Sequence, residues 1–319
     1  MRRPLLALAA AAALTVSAAA CGESATTSKN GVTSIDVGVI PISDVAPIYL
    51  GQKKGFFDEQ KLKLNLKPAQ GGAAIVPGVV SGDLEFGFSN VVSLLLAQSK
   101  GLPVKVVTNG ISSSGEEEKD FASVIVKDDS KIQKPKDLAG KKVAINTLNN
   151  AGDTQVRASV RKDGGDAKSI KFVEMPFPDM SAALDKGDID AVWIVEPFQS
   201  QLLADGNRIV ATPAVDTAEK LTHAVYFTTT KTAQTDQDLV KRFQAAMNKS
   251  LEYADSHPDE ARAILATYTK IKGDQAKDMV LPKWPVEINR ESVQAQADLA
   301  VSDGLIKGDK KPDVNALLP

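Results

Sequence analysis

Apolar runs of five or six residues alternate along the chain with amphipathic stretches, the pattern that α/β proteins produce when buried strands alternate with helices. The spacing predicts a strand over 35–40 (IDVGVI) and then a helix over 46–57, stopped by Gly55 with Lys53 and Lys54 against its negative end. Further strands are expected over 63–68, 84–89 and 103–110. Between them lie a helix around 73–80 and another over 91–100 that Gly101 closes.

The second half of the chain repeats the first at an offset of 105 residues. SGDLEFGF (81–88) and KGDIDAVW (186–193) both read as a helix end, a Gly-Asp turn and a strand. The same offset sets VIP (39–41) on AIN (144–146) and LKP (66–68) on KFV (171–173). Three strands in register at one spacing imply two similar α/β lobes.

In open α/β sheets, ligands bind beyond the carboxyl ends of the strands, so the loops leaving those strands are the candidate site. In the first lobe they hold Pro41, Ile42, Ser43 and Asp44, then Gln70, Gly71 and Gly72, then Ser89 and Asn90, and last Asn109 within Thr108-Asn109-Gly110. In the second they hold Asn146-Thr147-Leu148-Asn149-Asn150, a Pro176-Phe177-Pro178-Asp179 turn, and Glu196 after the strand that carries Trp193. Amides, hydroxyls, glycines and aromatic rings are the chemistry of a binding surface. No loop supplies Lys or Arg, and this acidic set leans towards an amine-bearing or zwitterionic solute. Asp44 and Asp179 also suit helix N-caps, Trp193 also suits the lobe core, and Glu196, ending an apolar strand, requires a partner in ligand or hinge.

Composition narrows the function classes. The chain opens MRRPLLALAAAAALTVSAAA, two arginines, an apolar run and small residues, which is the layout of a secretion signal and is short of a membrane span. Cys21, the single cysteine, follows it and heads a Ser/Thr/Gly-rich stretch to Ser34 that reads as a flexible tether. Ala18-Ala19-Ala20-Cys21 resembles the lipobox of bacterial lipoproteins, which makes Cys21 the lipidated anchor; cleavage at an ordinary A-x-A site is the alternative. The net charge is −2, and −4 once Arg2 and Arg3 leave with the signal, so no basic nucleic-acid-binding face is expected. One cysteine and two histidines, His223 and His257, offer no metal cluster, and no cofactor is expected.

The stretches VGVIPISDVAPIYLGQKKGFFDEQKLKLNLKPAQGG and VVSGDLEFGFSN, with PKDLAGKKVAIN, FPDMSAALDKGDIDAVWIVEPF and DLVKRFQAAMNKSLEYADSHPDEARAIL, resemble the substrate-binding proteins of ABC importers for nitrate, sulfonate, taurine and thiamine precursors, the NMT1/SsuA-like group. The resemblance implies an α/β, type II periplasmic-binding-protein fold, two lobes with a ligand cleft between them. By it the signal peptide is 1–20, the lipidated Cys and tether 21–34, the first part of lobe I 35–118, lobe II 119–221, and the return to lobe I with C-terminal helices 222–319. It also implies a lipid-anchored monomer on the outer face of the cytoplasmic membrane, handing a small solute to an ABC permease whose ATPase subunits are separate chains. Consistent with that, this chain has no G-x-x-x-x-G-K-[ST] loop. By the resemblance the family's cleft loops fall on Pro41 to Asp44, Gln70 to Gly72, Ser89 and Asn90, Asn149 to Asp153, and Glu196; the chain departs from the sulfonate binders at the second-lobe helix start, where LNNAGDT (148–154) replaces a Ser-rich GSS. Two other readings share the fold: a lipid-anchored sensor, and a thiamine-pyrimidine synthase. The synthase uses a cysteine-rich iron motif and an active-site histidine, and this chain has no Cys after Cys21 and no His in an expected cleft loop.

Overall fold

The computed structural model describes residues 31–271, 276–307 and 311–319. The leader, Cys21 and most of the expected tether lie outside the described residues. Ten strands are described: β1 (Thr33–Val39), β2 (Leu62–Pro68), β3 (Phe86–Asn90), β4 (Val104–Ser112), β5 (Ala122–Val126), β6 (Lys142–Ile145), β7 (Lys171–Glu174), β8 (Ala191–Val195), β9 (Arg208–Ala211) and β10 (Thr222–Thr229).

They form two five-stranded sheets, ordered β2-β1-β3-β10-β4 and β7-β6-β8-β5-β9. In the first, β1 runs parallel to β2 and β3 while β10 is antiparallel to both its neighbours. In the second, β6 runs parallel to β7 and β8 while β5 is antiparallel to both of its own. The strands paired by the repeat, β1 with β6, β2 with β7 and β3 with β8, hold equivalent places. Phe86 and Ala191, which start β3 and β8, are separated by the repeat's own spacing.

The chain passes from the first sheet to the second between β4 and β5 and returns between β9 and β10. The two crossings are bonded to each other, Ser113 N–H donating to the Leu221 carbonyl at 2.8 Å. Helices cover the inner strands, so β5 (ASVIV) and β8 (AVWIV) are buried along their whole length and show no alternation.

Local chemistry sets the helix limits. Gly55 adopts φ +80° and breaks the expected 46–57 helix in two, Ala46–Lys53 and Phe56–Glu59. The helix Gln237–Ser256 starts on an Asp236 cap, whose side chain accepts from Leu239 N–H, and buries Leu239, Phe243, Ala246, Met247, Ser250, Leu251 and Ala254. That is one face at helical spacing. Phe243 stacks on Phe86 with centroids 3.9 Å apart, and burying each such ring contributes about 1.5–3 kcal/mol.

The helix Arg290–Ser302 touches one helix from each lobe, Val91–Ser99 and Ala151–Lys162, and reaches the start of β10. There Ser292 Oγ accepts from Thr222 N–H at 3.0 Å, and Gln296 Nε2 donates to the Thr222 carbonyl at 2.8 Å. Among the described residues, no helix is long and apolar enough to cross a membrane.

Candidate functional site

The loops at the carboxyl ends of β1, β3, β6 and β8 meet where the lobes touch. Ser43 N–H donates to the Glu196 carbonyl across the junction at 3.2 Å. Ser93 Oγ lies 3.0 and 3.1 Å from Nδ2 and Oδ1 of Asn150, whose Oδ1 also caps the helix Ala151–Lys162. Gly71 is so close to the second lobe that a Cβ on it would stand 3.3 Å from Asn146 Nδ2.

Small residues permit these approaches. A Cβ at Gly72 would fall 2.2 Å from Ser89 Oγ and 2.8 Å from Ser89 Cα, so only glycine lets the helix Gly72–Ser81 begin against β3. A Cβ at Gly152 would meet Trp193 Cε3 at 2.9 Å, which sets the start of the second-lobe helix on the indole.

Acidic groups concentrate at this junction. Asp44 is buried in the short 3-10 turn Ser43–Val45 that leads into the helix Ala46–Lys53, and it makes no cap. Burial pushes its carboxyl up to about 7; the Ser43 hydroxyl pulls it down, and the Asp120 and Glu196 carboxyls add to the rise. Glu196, also buried, is likewise pushed up to about 7 by burial, against the donors that hold it. Those donors are Ser200 Oγ at 2.8 Å, Ser200 N–H at 3.1 Å, Val280 N–H at 3.2 Å and Gln199 Nε2 at 3.3 Å. Asp120, on the first crossing, accepts from the Ser113 hydroxyl and from Ser114 and Phe121 N–H; burial raises it as well.

The candidates named from the sequence do not all converge. Ile42, Ser43, Asp44, Gly71, Gly72, Ser89, Asn150, Trp193 and Glu196 are buried around the contact between lobes, and Pro41 and Asn90 are half-buried beside them. Asn90 Oδ1 caps the helix Val91–Ser99 through Ser93 N–H. Gln70 and Asn149 are exposed, the latter at φ +52°.

Asn109 does not join the site. The expected Thr108-Asn109-Gly110 loop is strand, because β10 pairs with β4 as far as Ser112, and the Asn109 amide holds the C-terminal segment by donating to the Pro285 and Glu287 carbonyls at 2.8 Å each. Asp153 turns away too: it pairs at 2.6 Å with Arg157, one helical turn on. Asp179 lies exposed in the first turn of the helix Phe177–Lys186.

Several residues at the junction were not legible as loop residues. His223, on β10, is buried with Nδ1 3.1 Å from Gln155 Nε2 and its ring 4.9 Å from Phe121; burial pushes it down to about 4, so it stays neutral. Trp284 Nε1 donates to the Asp44 carbonyl at 3.2 Å, and Tyr268 Oη to the Ile42 carbonyl at 3.0 Å. Tyr226 Oη, Trp193 Nε1 and Gln155 Oε1 are buried here with no hydrogen-bond partner among the described residues. His257 is exposed between two helices and stacks on Tyr253. Two hollows open elsewhere, one of about 430 Å³ bordered by Lys119, Arg262 and Val280, and one of about 170 Å³ by Val107, Gln244 and Leu318; neither is lined by Asp44, Asn150 or Glu196.

A family model described as NMT1/THI5 like matches residues 42–261. The chain belongs to the NMT1/THI5-like family. Among its relatives is the taurine-binding periplasmic protein of Escherichia coli K12, 25% identical over 228 residues, which span 71% of this chain and 68% of the relative. A second is the 4-amino-5-hydroxymethyl-2-methylpyrimidine phosphate synthase of Aspergillus parasiticus, 27% identical over 161 residues, or 50% of this chain and 44% of that enzyme. Among solved structures, the alkanesulfonate-binding protein SsuA from Xanthomonas axonopodis pv. citri, bound to MOPS, superposes with a TM-score of 0.74 at 17% identity, covering 89% of this chain and 97% of that one. The family's fold is the type II periplasmic-binding-protein fold, and the two sheets have it.

Proposed function

We propose that this chain is the extracytoplasmic solute-binding component of an ABC importer, which captures one small organic solute between its lobes and delivers it to a permease served by separate ATPase subunits. The observation that carries the reading is the convergence of loops from equivalent strands of two like sheets, with Ser43, Ser93, Asn150 and Glu196 meeting across the junction. A ligand that touches both lobes favours the closed arrangement by the extra affinity it gains there. The solutes we infer are those of the relatives, sulfonate-, taurine- or nitrate-like, together with aminopyrimidines.

Anchoring through a lipid on Cys21 would keep a monomeric receptor beside its permease and raise its effective concentration there. We read the chain as a binding protein and not an enzyme. Binding proteins among the relatives support this, as does His223, which burial keeps neutral and which Gln155 engages.

Calorimetry of the mature chain against taurine, alkanesulfonates, nitrate and aminopyrimidines, with X-ray scattering before and after each addition, tests the reading. A saturable solute that makes the particle more compact is expected. No binding by any of them, and no compaction, would refute it.

A further inference from the structure

We propose that the Asp44 carboxyl and the Tyr226 hydroxyl form a subsite for a cationic nitrogen of the solute, a primary ammonium or an amino-substituted heterocycle. The inference rests on the receptor reading above and deepens it.

Tyr226 carries it. The side chain lies on β10 with 1% of its surface exposed, its ring packed 5.2 Å from Phe88 and 5.9 Å from Phe243. Its hydroxyl has no hydrogen-bond partner among the described residues. A buried hydroxyl left without a hydrogen bond is costly, and a protein that only needed a ring there would be served by phenylalanine. The turn Ser43–Val45 that holds Asp44 packs against β4, the strand whose Thr108 pairs with Tyr226 on β10.

Among the described residues, Asp44 has one side-chain donor, the Ser43 hydroxyl at 3.3 Å, and no ion pair. The charged groups that act on it most strongly are the carboxyls of Asp120 on the crossing and Glu196 on the second lobe, both of its own sign. Tyr226 and Tyr268 are the other titratable groups that sense it. Glu196 does not share the task, because four protein donors already occupy its carboxyl.

A solute N–H⁺ placed here donates to Asp44 and to the Tyr226 oxygen and brings a counter-charge to this acidic junction. For an ammonium the exchange balances as Asp44–COOH plus R–NH₃⁺ giving Asp44–COO⁻ beside R–NH₃⁺, with the displaced proton passing to solvent; a neutral amino-heterocycle takes that proton onto its own ring nitrogen and none is released. Ammonium capture then releases protons around neutral pH.

Two matched pairs of probes test this on the mature chain: taurine against ethanesulfonate, and 4-amino-2-methylpyrimidine against 2-methylpyrimidine. At least one amino member is expected to bind roughly tenfold or more tighter than its partner, as a hydrogen bond to a charged group implies. Calorimetry at pH 7 in buffers of different ionisation enthalpy should show about half a proton released per taurine bound, as a carboxyl titrating near pH 7 requires. Asp44→Asn should remove both the preference and the proton release. Tyr226→Phe, which deletes an unpartnered hydroxyl from an otherwise unchanged ring, should weaken amine binding roughly three- to tenfold with no loss of thermal stability.

Equal binding within each pair, or amine binding that Asp44→Asn leaves unchanged, overturns the subsite. If the partners lacking the amino group still compact the protein, the receptor reading stands without it. If no probe binds, both fall.

Discussion

Raising the pH from 5 to 8 should destabilise this protein, and the size of the loss follows from three buried groups. Asp44 and Glu196 have ordinary values of 3.8 and 4.5 and are held near 7 in the fold. A carboxyl whose folded pKa exceeds its unfolded one contributes stability that is fully present below the unfolded value and is lost as pH rises through the folded value. Over pH 5 to 8 each of the two forfeits about 2 to 3 kcal/mol, roughly 5 together. Asp120, raised by burial, acts in the same sense.

His223 works against them. Its value falls from 6.5 to about 4, so its contribution is present above the unfolded value and lost as pH drops through the folded one. At pH 5 it costs about 2 kcal/mol relative to pH 8. The wild type should therefore be about 3 kcal/mol more stable at pH 5 than at pH 8. Asp44→Asn should bring the difference close to zero, and His223→Gln should widen it to about 5 kcal/mol. Urea unfolding at constant ionic strength, at pH 5, 6, 7 and 8, measures all three curves. Three parallel curves, or a wild type equally stable at both ends, would show that these side chains are not buried together as described.

Other consequences are simpler to check. Ser93→Ala removes the bond to Asn150 without touching the helix cap that Asn150 makes to Ala151, and at about 1 kcal/mol it should weaken solute binding roughly fivefold by calorimetry. Gly152→Ala forces a methyl group to within 2.9 Å of the Trp193 ring and should cost about 1–3 kcal/mol in thermal unfolding; an unchanged melting temperature would place the helix elsewhere. Glu196→Gln keeps the shape but turns an –NH₂ towards a set of donors, and a loss of about 2 kcal/mol is expected from denaturant titration.

The fold was largely written in local signals. The Gly-Asp turns at Gly82 and Gly187, both glycines at positive φ, mark the helix ends that precede β3 and β8, so the repeat located equivalent strands directly. What the repeat does not contain is the fourth strand of each sheet. β10 and β5 enter by pairing with segments distant in sequence, and short-range periodicity carries no information about such a partner. That pairing is what misplaced Asn109: an Asn-Gly step reads as a turn, yet β10 draws it into β4 with irregular register. Asp153 had a legible alternative in the Asp-x-x-x-Arg spacing to Arg157, an ordinary helical ion pair. Tyr226, His223 and Trp284 reach the junction from a strand interior and from a C-terminal segment, so a search confined to loops passes over them.

The balance of forces at the junction explains why a solute has to complete it. Among the described residues, the bonds that cross between the lobes include Ser43 to Glu196, Ser93 to Asn150 and Gln155 to His223, each worth about 1 kcal/mol, and Val280 N–H to the Glu196 carboxyl. The Arg161 to Asp303 pair at 2.5 Å ties the second lobe to the end of the C-terminal helix, but Arg161 is 39% exposed and surface pairs contribute about 0–1 kcal/mol. Against these, closing the lobes sets Asp44 of the first beside Glu196 of the second, with Asp120 on the crossing between them, and each added negative charge makes the next harder to bury. Burial is the larger part of what opposes ionising Asp44, and the neighbouring carboxyls add to it. A solute that places a positive charge between the carboxyls changes the sign of the opposing term, and one without that charge leaves it standing. Lobe closure would then report the charge of the solute as well as its size, and a permease that docks only the closed form would admit solutes by the same criterion.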